Sequence, residues 1–188
     1  MNGQKNMKKI GAVVGVLLGG LFVLTLGAQE STAASENPTL VVGTFDSRAV
    51  AVAYVQSDAF SNYLVAQQTD VAKVLERAKT AGDETLVAEL GALGPAMQKR
   101  LHEQGFGTAP VDDIIARIID KLPNIAKEAG VDVIISKWTL TYSNPTAEFI
   151  DVTSLIVAEF EPNERTLKMI QSTVEADPVP LDEIGHDH

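Results

Sequence analysis

One internal histidine of this chain lies beside a carboxylate. His102 and Glu103 are adjacent on a predicted helix that ends near Gly105. An imidazole next to a carboxylate could act as a general base, but a hydrolase also needs a nucleophile and an orienting group within hydrogen-bonding reach. Sequence spacing supplies neither, and a histidine at this position also suits the negative end of a helix dipole. We therefore predict no catalytic residue, no cofactor and no enzyme activity, with a small hydrolase using this pair as the alternative.

A second group of possible ligands lies near the end of the chain. His186, Asp187 and His188 follow Asp182 and Glu183. Imidazole and carboxylate together suit zinc or a similar ion. A closed metal site needs ligands in fixed positions, whereas a terminal tail is typically mobile. We therefore predict no metal site.

Two pairs of aromatic side chains are better candidates for binding a partner. His102 and Phe106 belong to an unusual glycine-containing loop at the end of a predicted helix. Trp138 and Tyr142 are four residues apart in a predicted strand, which would place them on one face. Such a face could bind a peptide or another subunit, or it could fill the core. We predict these four residues as partner-binding positions.

The first 28 residues predict export from the cytoplasm. Three lysines precede residues 10–26, which carry no charge, and the small residues Gly27 and Ala28 suit signal peptidase. We expect a signal peptide over residues 1–28 and a linker over residues 29–38. The apolar run is long enough that an uncleaved membrane anchor is the alternative, with the rest of the chain outside the cytoplasm. Without cysteine, neither an acylated lipoprotein nor a disulfide is expected.

The net charge of the chain limits the classes of partner that it can bind. Acidic residues outnumber basic ones by 25 to 15, for a net charge of −10, and removal of the leader would take away three lysines. An acidic surface repels phosphate backbones and anionic lipid. We therefore expect no nucleic acid partner, and membrane contact only through an uncleaved N-terminal segment.

A strand followed by a long helix opens the folded region. The β-branched run at residues 40–45 predicts a buried strand, after which Asp46 or Ser47 can cap a helix. From residue 48 to residue 79 there is neither glycine nor proline, and apolar residues recur at spacings of three, four and seven. This pattern predicts one amphipathic helix about 45 to 50 Å long. Gly82 favours its end and a chain reversal.

Two more helical stretches are predicted next. Asp83 can cap a helix with a narrow apolar seam, formed by Leu86, Leu90, Leu93, Met97 and Leu101. Pro95 must kink this helix or make it restart. A third stretch begins at Pro110. Pro123 either bends it or opens a short continuation, and Gly130 closes it.

The remaining segment predicts a hairpin. Residues 131–136 are typical of a strand, and alternating large apolar residues extend the pattern to Tyr142. A turn at residues 143–146 precedes residues 148–150, the expected returning strand. Short helices should follow three capping candidates, Asp151 or Thr153 and then Asn163.

The order of elements predicts an α+β fold. We expect a small β-sheet body from which an antiparallel helical hairpin, about residues 47–129, projects. Residues 39–175 would form a single domain, followed by an acidic tail over residues 176–188.

This order and several motifs resemble the Skp (OmpH-like) family of periplasmic chaperones. The matching features are the leader, Val41-Val42-Gly43 before a long helix, the strand-like Gly130-Val131-Asp132-Val133-Ile134-Ile135, Tyr142, and Asp151-Val152-Thr153 at a helix start. In that family a β-rich body trimerises and helical arms hold unfolded outer-membrane proteins. The resemblance implies an exported, non-enzymatic protein of the periplasm that binds protein clients or itself, as a homo-oligomer and possibly a trimer.

Two features depart from the family pattern. The family's arms are long and strongly basic, whereas residues 46–130 are acidic overall and interrupted at Gly94-Pro95. The chain would be a divergent acidic member with a shorter arm. A structural envelope protein anchored in the inner membrane by an uncleaved leader is a further alternative.

Overall fold

The computed structural model describes residues 40–185. The predicted leader, the predicted linker and the candidate metal ligands His186, Asp187 and His188 lie outside the described residues. Within residues 40–185, no helix combines the length and the apolar character needed to cross a bilayer.

A three-stranded parallel sheet forms the base of the body. The central strand β1 (Val42–Phe45) lies between β2 (Val133–Ser136) and β3 (Phe149–Asp151). Gly43 allows close packing at the middle of β1, because a Cβ there would lie 3.1 Å from the Val131 side chain. The sheet is therefore built around a position that favours the smallest residue.

Seven α-helices occur in the described part of the chain, with one turn of 3-10 helix at Ala116–Ile118. Their bounds are α1 (Ser47–Val55), α2 (Asp58–Ala81), α3 (Glu84–Gly105), α4 (Asp112–Ile115), α5 (Leu122–Ala129), α6 (Thr153–Ala158) and α7 (Glu164–Glu175). The predicted α+β class is confirmed.

The predicted β-hairpin is wrong. β2 and β3 each pair with β1 on opposite sides, so residues 137–148 cross from one edge of the sheet to the other. A turn ends β2, because the Thr139 amide and hydroxyl both donate to the Ser136 carbonyl oxygen, at 3.1 and 2.8 Å. The alternating residues Trp138 and Tyr142 therefore lie outside the strands.

The single long helix predicted over residues 48–79 is also wrong, because it breaks at Gln56 and Ser57. Ser57 Oγ donates to the Tyr54 carbonyl oxygen at 2.6 Å and accepts from the Phe60 amide at 3.2 Å. The Ser57 side chain therefore bonds a carbonyl at the end of α1 and an amide at the start of α2. These two backbone groups keep hydrogen-bond partners although the helix is interrupted.

Helices α2 and α3 form an antiparallel pair, called the arm below. The chain reverses at Gly82, which has a φ of 69°, and Asp83 Oδ1 accepts from the Leu86 amide at 3.0 Å. α2 has 24 residues and is about 36 Å long. Pro95 lies inside α3, so the helix does not restart there. The arm spans residues 58–105, less than the predicted hairpin.

The predicted third helical stretch is divided. α4 and the 3-10 turn precede α5, and Pro123 lies in the first turn of α5, where its missing amide hydrogen leaves no helical bond unmade. Gly130, with a φ of 68°, ends α5 as predicted.

The core of the body contains α1, α4 and α6. Five of its apolar side chains are completely buried, namely Ala49, Val50, Ile114, Val152 and Ile156. Phe60 near the start of α2 and Leu101 near the end of α3 pack on this core. Both helices of the arm are thus anchored in the body, at the end of the arm opposite Gly82.

Candidate functional site

A groove runs between α2 and α3 where the arm joins the body. This arm groove has a volume of about 390 Å³, which lies within the range of ligand-binding sites. Its main apolar lining residues are Leu64, Val71, Leu90, Leu93, Met97 and Leu101. The arm groove is thus a concave apolar surface at the junction of two parts of the fold.

Helical spacing explains why the groove is apolar and why it is open. Leu90, Leu93, Met97 and Leu101 recur at intervals of three and four residues, so they share the face of α3 that packs on α2. Gly94 lies on the groove and has no side chain, and a Cβ there would meet nothing within 4 Å. The two helices therefore leave part of their apolar seam uncovered.

Two arginines and one aspartate give the arm groove its charge. The Arg117 guanidinium lies 4.9 Å from the Tyr54 ring centroid and 4.6 Å from the Tyr63 centroid. Arg100 pairs with Asp113 at 3.0 Å. All five side chains line the groove. The formal charge of these groups is positive, although the whole chain carries −10.

Asp113 has a second partner, whereas Arg117 has no carboxylate. Gln104 is completely buried, and its Nε2 donates to Asp113 Oδ1 at 2.8 Å and to the Pro110 carbonyl oxygen at 2.9 Å. No carboxylate of residues 40–185 forms an ion pair with Arg117. Asp113 is therefore oriented by Arg100 and Gln104, whereas the Arg117 guanidinium packs against the rings of Tyr54 and Tyr63.

Tyr54 brings a buried hydroxyl to the groove wall. Its ring makes edge contacts with Phe60 and Phe160, at centroid distances of 5.1 and 5.8 Å. Within the described residues its Oη has no hydrogen-bond partner. Burial raises the pKa of the Tyr54 phenol, and the positive charge of Arg117 offsets only part of the rise. The phenol is therefore neutral near pH 7 and keeps its proton for donation.

A second polar cluster lies at the carboxyl ends of β1 and β2. Asp46 Oδ1 accepts from the Arg48 amide at 2.9 Å, from Arg48 Nε at 3.2 Å and from Trp138 Nε1 at 3.2 Å. Asp46 Oδ2 accepts from Arg48 Nη2 at 2.9 Å and pairs with Lys137 Nζ at 2.8 Å. The prediction that Asp46 can cap the first helix is confirmed.

This cluster is fully bonded and ties distant segments together. Burial by itself would raise the pKa of Asp46, but the hydrogen bonds from Arg48, Lys137 and Trp138 outweigh it and lower the pKa from 3.8 to about 2. Arg48 Nη1 also donates to the carbonyl oxygen of Ala176, beyond α7, at 2.8 Å. Because both carboxylate oxygens are occupied, Asp46 stabilises the body and is not poised as a base.

His102 and Phe106 do lie together, away from the arm groove. Their ring centroids are 5.5 Å apart, and both line a smaller hollow of about 270 Å³ between α1, α3 and α7. Phe106 is 54% exposed. Its carbonyl oxygen accepts from the Val179 amide at 2.9 Å, so the segment after α7 runs beside it.

Trp138 and Tyr142 do not share a strand face, so that prediction is wrong. Trp138 lies in the turn after β2 and donates to Asp46, whereas Tyr142 is 78% exposed in a segment without regular structure. The four predicted binding residues therefore occupy three separate places. The strand prediction failed because the turn at Ser136 interrupts the alternation.

Sequence reasoning missed the charged part of the arm groove. Arg117 belongs to the predicted third helical stretch, among apolar residues, and is the sole lysine or arginine between positions 101 and 120. A single cation inside an apolar stripe was the available signal. Its stacking on Tyr54 and Tyr63 joins three separate helical segments, which no local pattern reports.

The helix separates His102 from Glu103. Successive helical positions point in directions about 100° apart, and Glu103 pairs with Lys99 at 3.7 Å. Within residues 40–185 there is no group of three or more histidine, aspartate or glutamate residues that could hold a metal ion.

Comparison of the chain with protein-family models, with characterised proteins and with solved structures finds no match.

Proposed function

We propose that this protein is a non-enzymatic, exported protein of the cell envelope that binds unfolded protein segments, in the manner of the Skp (OmpH-like) chaperones it resembles. The single observation that carries the proposal is the arm groove, an apolar surface that α2 and α3 form and do not cover. An uncovered apolar surface of this kind is typical of interaction sites.

The burial of the arm supports this proposal. Phe60 and Ala78 are the fully buried residues of α2, and Gln104 and Gly105 those of α3. Leu93, a large apolar side chain of the groove, stays 49% exposed. The body has its own core, so the apolar surface of the arm groove is available for another polypeptide.

Self-association belongs to the same proposal. β2 and β3 are both edge strands, and Phe149 and Ile150 on β3 are 36% and 40% exposed. Exposed edges with apolar side chains favour pairing with another chain. We propose a homo-oligomer, with a trimer as one candidate state, located in the periplasm. The protein would contact the membrane only if the N-terminal segment stays uncleaved.

The test is suppression of aggregation of an unfolded outer-membrane protein, followed by light scattering, with the protein lacking its predicted leader. We expect suppression by the wild type and a several-fold weaker effect of Leu93→Asp, because a charge in the arm groove must be desolvated when an apolar segment binds. Val65→Asp is the matched control, since it adds the same charge at an exposed arm position outside the groove. No suppression at several-fold molar excess of wild type would refute the proposal.

A further inference from the structure

We infer that the arm groove prefers client segments in which a carboxylate lies close to large apolar side chains, and that Arg117 binds the carboxylate. This inference rests on the proposed function and specifies the chemistry of its ligand. The contrast of charge motivates it, because a cation in an apolar groove stands out on a chain with a net charge of −10.

Two tyrosine rings position the Arg117 side chain in the arm groove. Its guanidinium lies near two tyrosine rings, at 4.9 and 4.6 Å from their centroids. A guanidinium packed against aromatic rings keeps N–H donors that can bind a carboxylate, often through two parallel hydrogen bonds. The rings also restrict the side chain, so less conformational entropy is lost when a ligand binds.

The carboxylates of residues 40–185 do not compete with a ligand for Arg117. The acidic side chain that lines the groove is Asp113, whose Oδ1 is contacted by Arg100 at 3.0 Å and by Gln104 at 2.8 Å. No carboxylate of the described chain pairs with Arg117. An incoming carboxylate therefore does not have to displace an internal ion pair.

Apolar side chains share the arm groove with Arg117. Leu64, Leu101 and Met97 line the same groove, and its volume of about 390 Å³ suits a few large side chains rather than a folded element. The groove thus combines an apolar wall with hydrogen-bond donors and a positive charge, which together match an apolar segment carrying one acidic group.

The test compares three peptides that differ at one residue. Each contains three leucines alternating with alanines, followed by Glu, Gln or Lys, with blocked ends and a neutral dye, and binding to the leaderless protein is measured by fluorescence anisotropy. We expect the wild type to bind the Glu peptide about tenfold more tightly than the Gln peptide. The Lys peptide should bind most weakly.

Variants of the protein complete the test. Arg117→Gln should abolish the preference for Glu over Gln, and Arg117→Lys should keep part of it, because a point charge remains. Arg165→Gln is the matched control, since it makes the same change at an exposed position on α7, outside the groove. Circular dichroism of each variant checks that the fold is retained, and the comparison of peptides on the wild type does not depend on any variant.

Several results would overturn the inference. They are equal wild-type binding of the Glu and Gln peptides, tightest binding of the Lys peptide, a Glu preference that survives in Arg117→Gln, and failure of all three peptides to bind. If the wild type still suppresses aggregation in any of these cases, the proposed function stands and the carboxylate preference falls. If the Glu preference is found without suppression, the carboxylate site stands and the chaperone-like function falls.

Discussion

Substitution of Asp46 by Asn tests the polar cluster that joins β1, β2 and the segment after α7. The change keeps the shape of the side chain but removes the negative charge. Arg48, which is 2% exposed, and the partly exposed Lys137 then lose the carboxylate that both contact. Leaving a buried charge without its partner typically costs about 3 to 5 kcal/mol. We expect a loss of this order in the free energy of unfolding at pH 7.

The pH dependence of the free energy of unfolding tests the charge of Asp46 directly. The pKa of Asp46 is lowered from 3.8 to about 2 in the folded protein, so the folded state favours the ionised form. This contribution is fully present above about pH 5 and is lost as the pH falls through 3.8 towards 2. Its full size is about 2 kcal/mol, of which roughly half is lost by pH 3.

The assay is urea unfolding of the leaderless wild type and of Asp46→Asn at pH 7 and pH 3. The difference in free energy of unfolding between the two proteins should shrink by about 1 kcal/mol at the lower pH, because the contributions of the other carboxylates cancel in the comparison. Asp120→Asn is the matched control, since Asp120 is exposed and, among residues 40–185, pairs only with Lys121 at 3.3 Å. It should change stability by less than about 1 kcal/mol at either pH.

A difference between wild type and Asp46→Asn that is the same at pH 7 and pH 3 would refute this reasoning. The cluster would then stabilise the body by hydrogen bonds that do not depend on the charge of Asp46. A loss below about 1 kcal/mol at pH 7 would equally show that Arg48 and Lys137 find other partners or water.

Two further predictions concern the end of α3. Gly107→Val should detach the segment after α7, because even a Cβ at Gly107 would lie 2.6 Å from Leu181 Cδ2 and 2.8 Å from the Glu103 carbonyl oxygen; faster hydrogen exchange at the Val179 amide would report this, and unchanged exchange would contradict it. His102→Ala should behave as the wild type in ester and peptide hydrolysis assays, with neither above background. A hydrolysis rate that the wild type has and a folded His102→Ala lacks would instead establish the hydrolase alternative.

Predictions that depended on local signals agree with the structure. The ends of the arm's first helix and of α5 at Gly82 and Gly130 follow from left-handed backbone that glycine adopts readily. Asp46 and Asn163 cap helices as their short side chains suggest. In each case the partner atoms lie within a few residues, so the sequence contains both sides of the interaction.

Predictions that depended on distant partners failed or were not made. The third strand was expected to pair with β2 as a hairpin, but β3 pairs with the other edge of β1. The break at Ser57 was missed because its apolar surroundings fit one helix as well as two. The arm groove needed Arg117 to lie against Tyr54 and Tyr63, which depends on how α4 and the 3-10 turn pack on the arm.

The sequence by itself determined the acidity of the chain, the absence of disulfides, the α+β class and several helix ends, because composition and short-range hydrogen bonds decide these properties. The tertiary structure alone decided which strand lies beside which, that Asp46 meets Lys137 and Trp138 across 91 and 92 positions, and that Arg117 lies against two tyrosine rings in an apolar groove. These contacts depend on packing between segments far apart in the chain, and many arrangements share the same local patterns. The proposed binding site belongs to this second group.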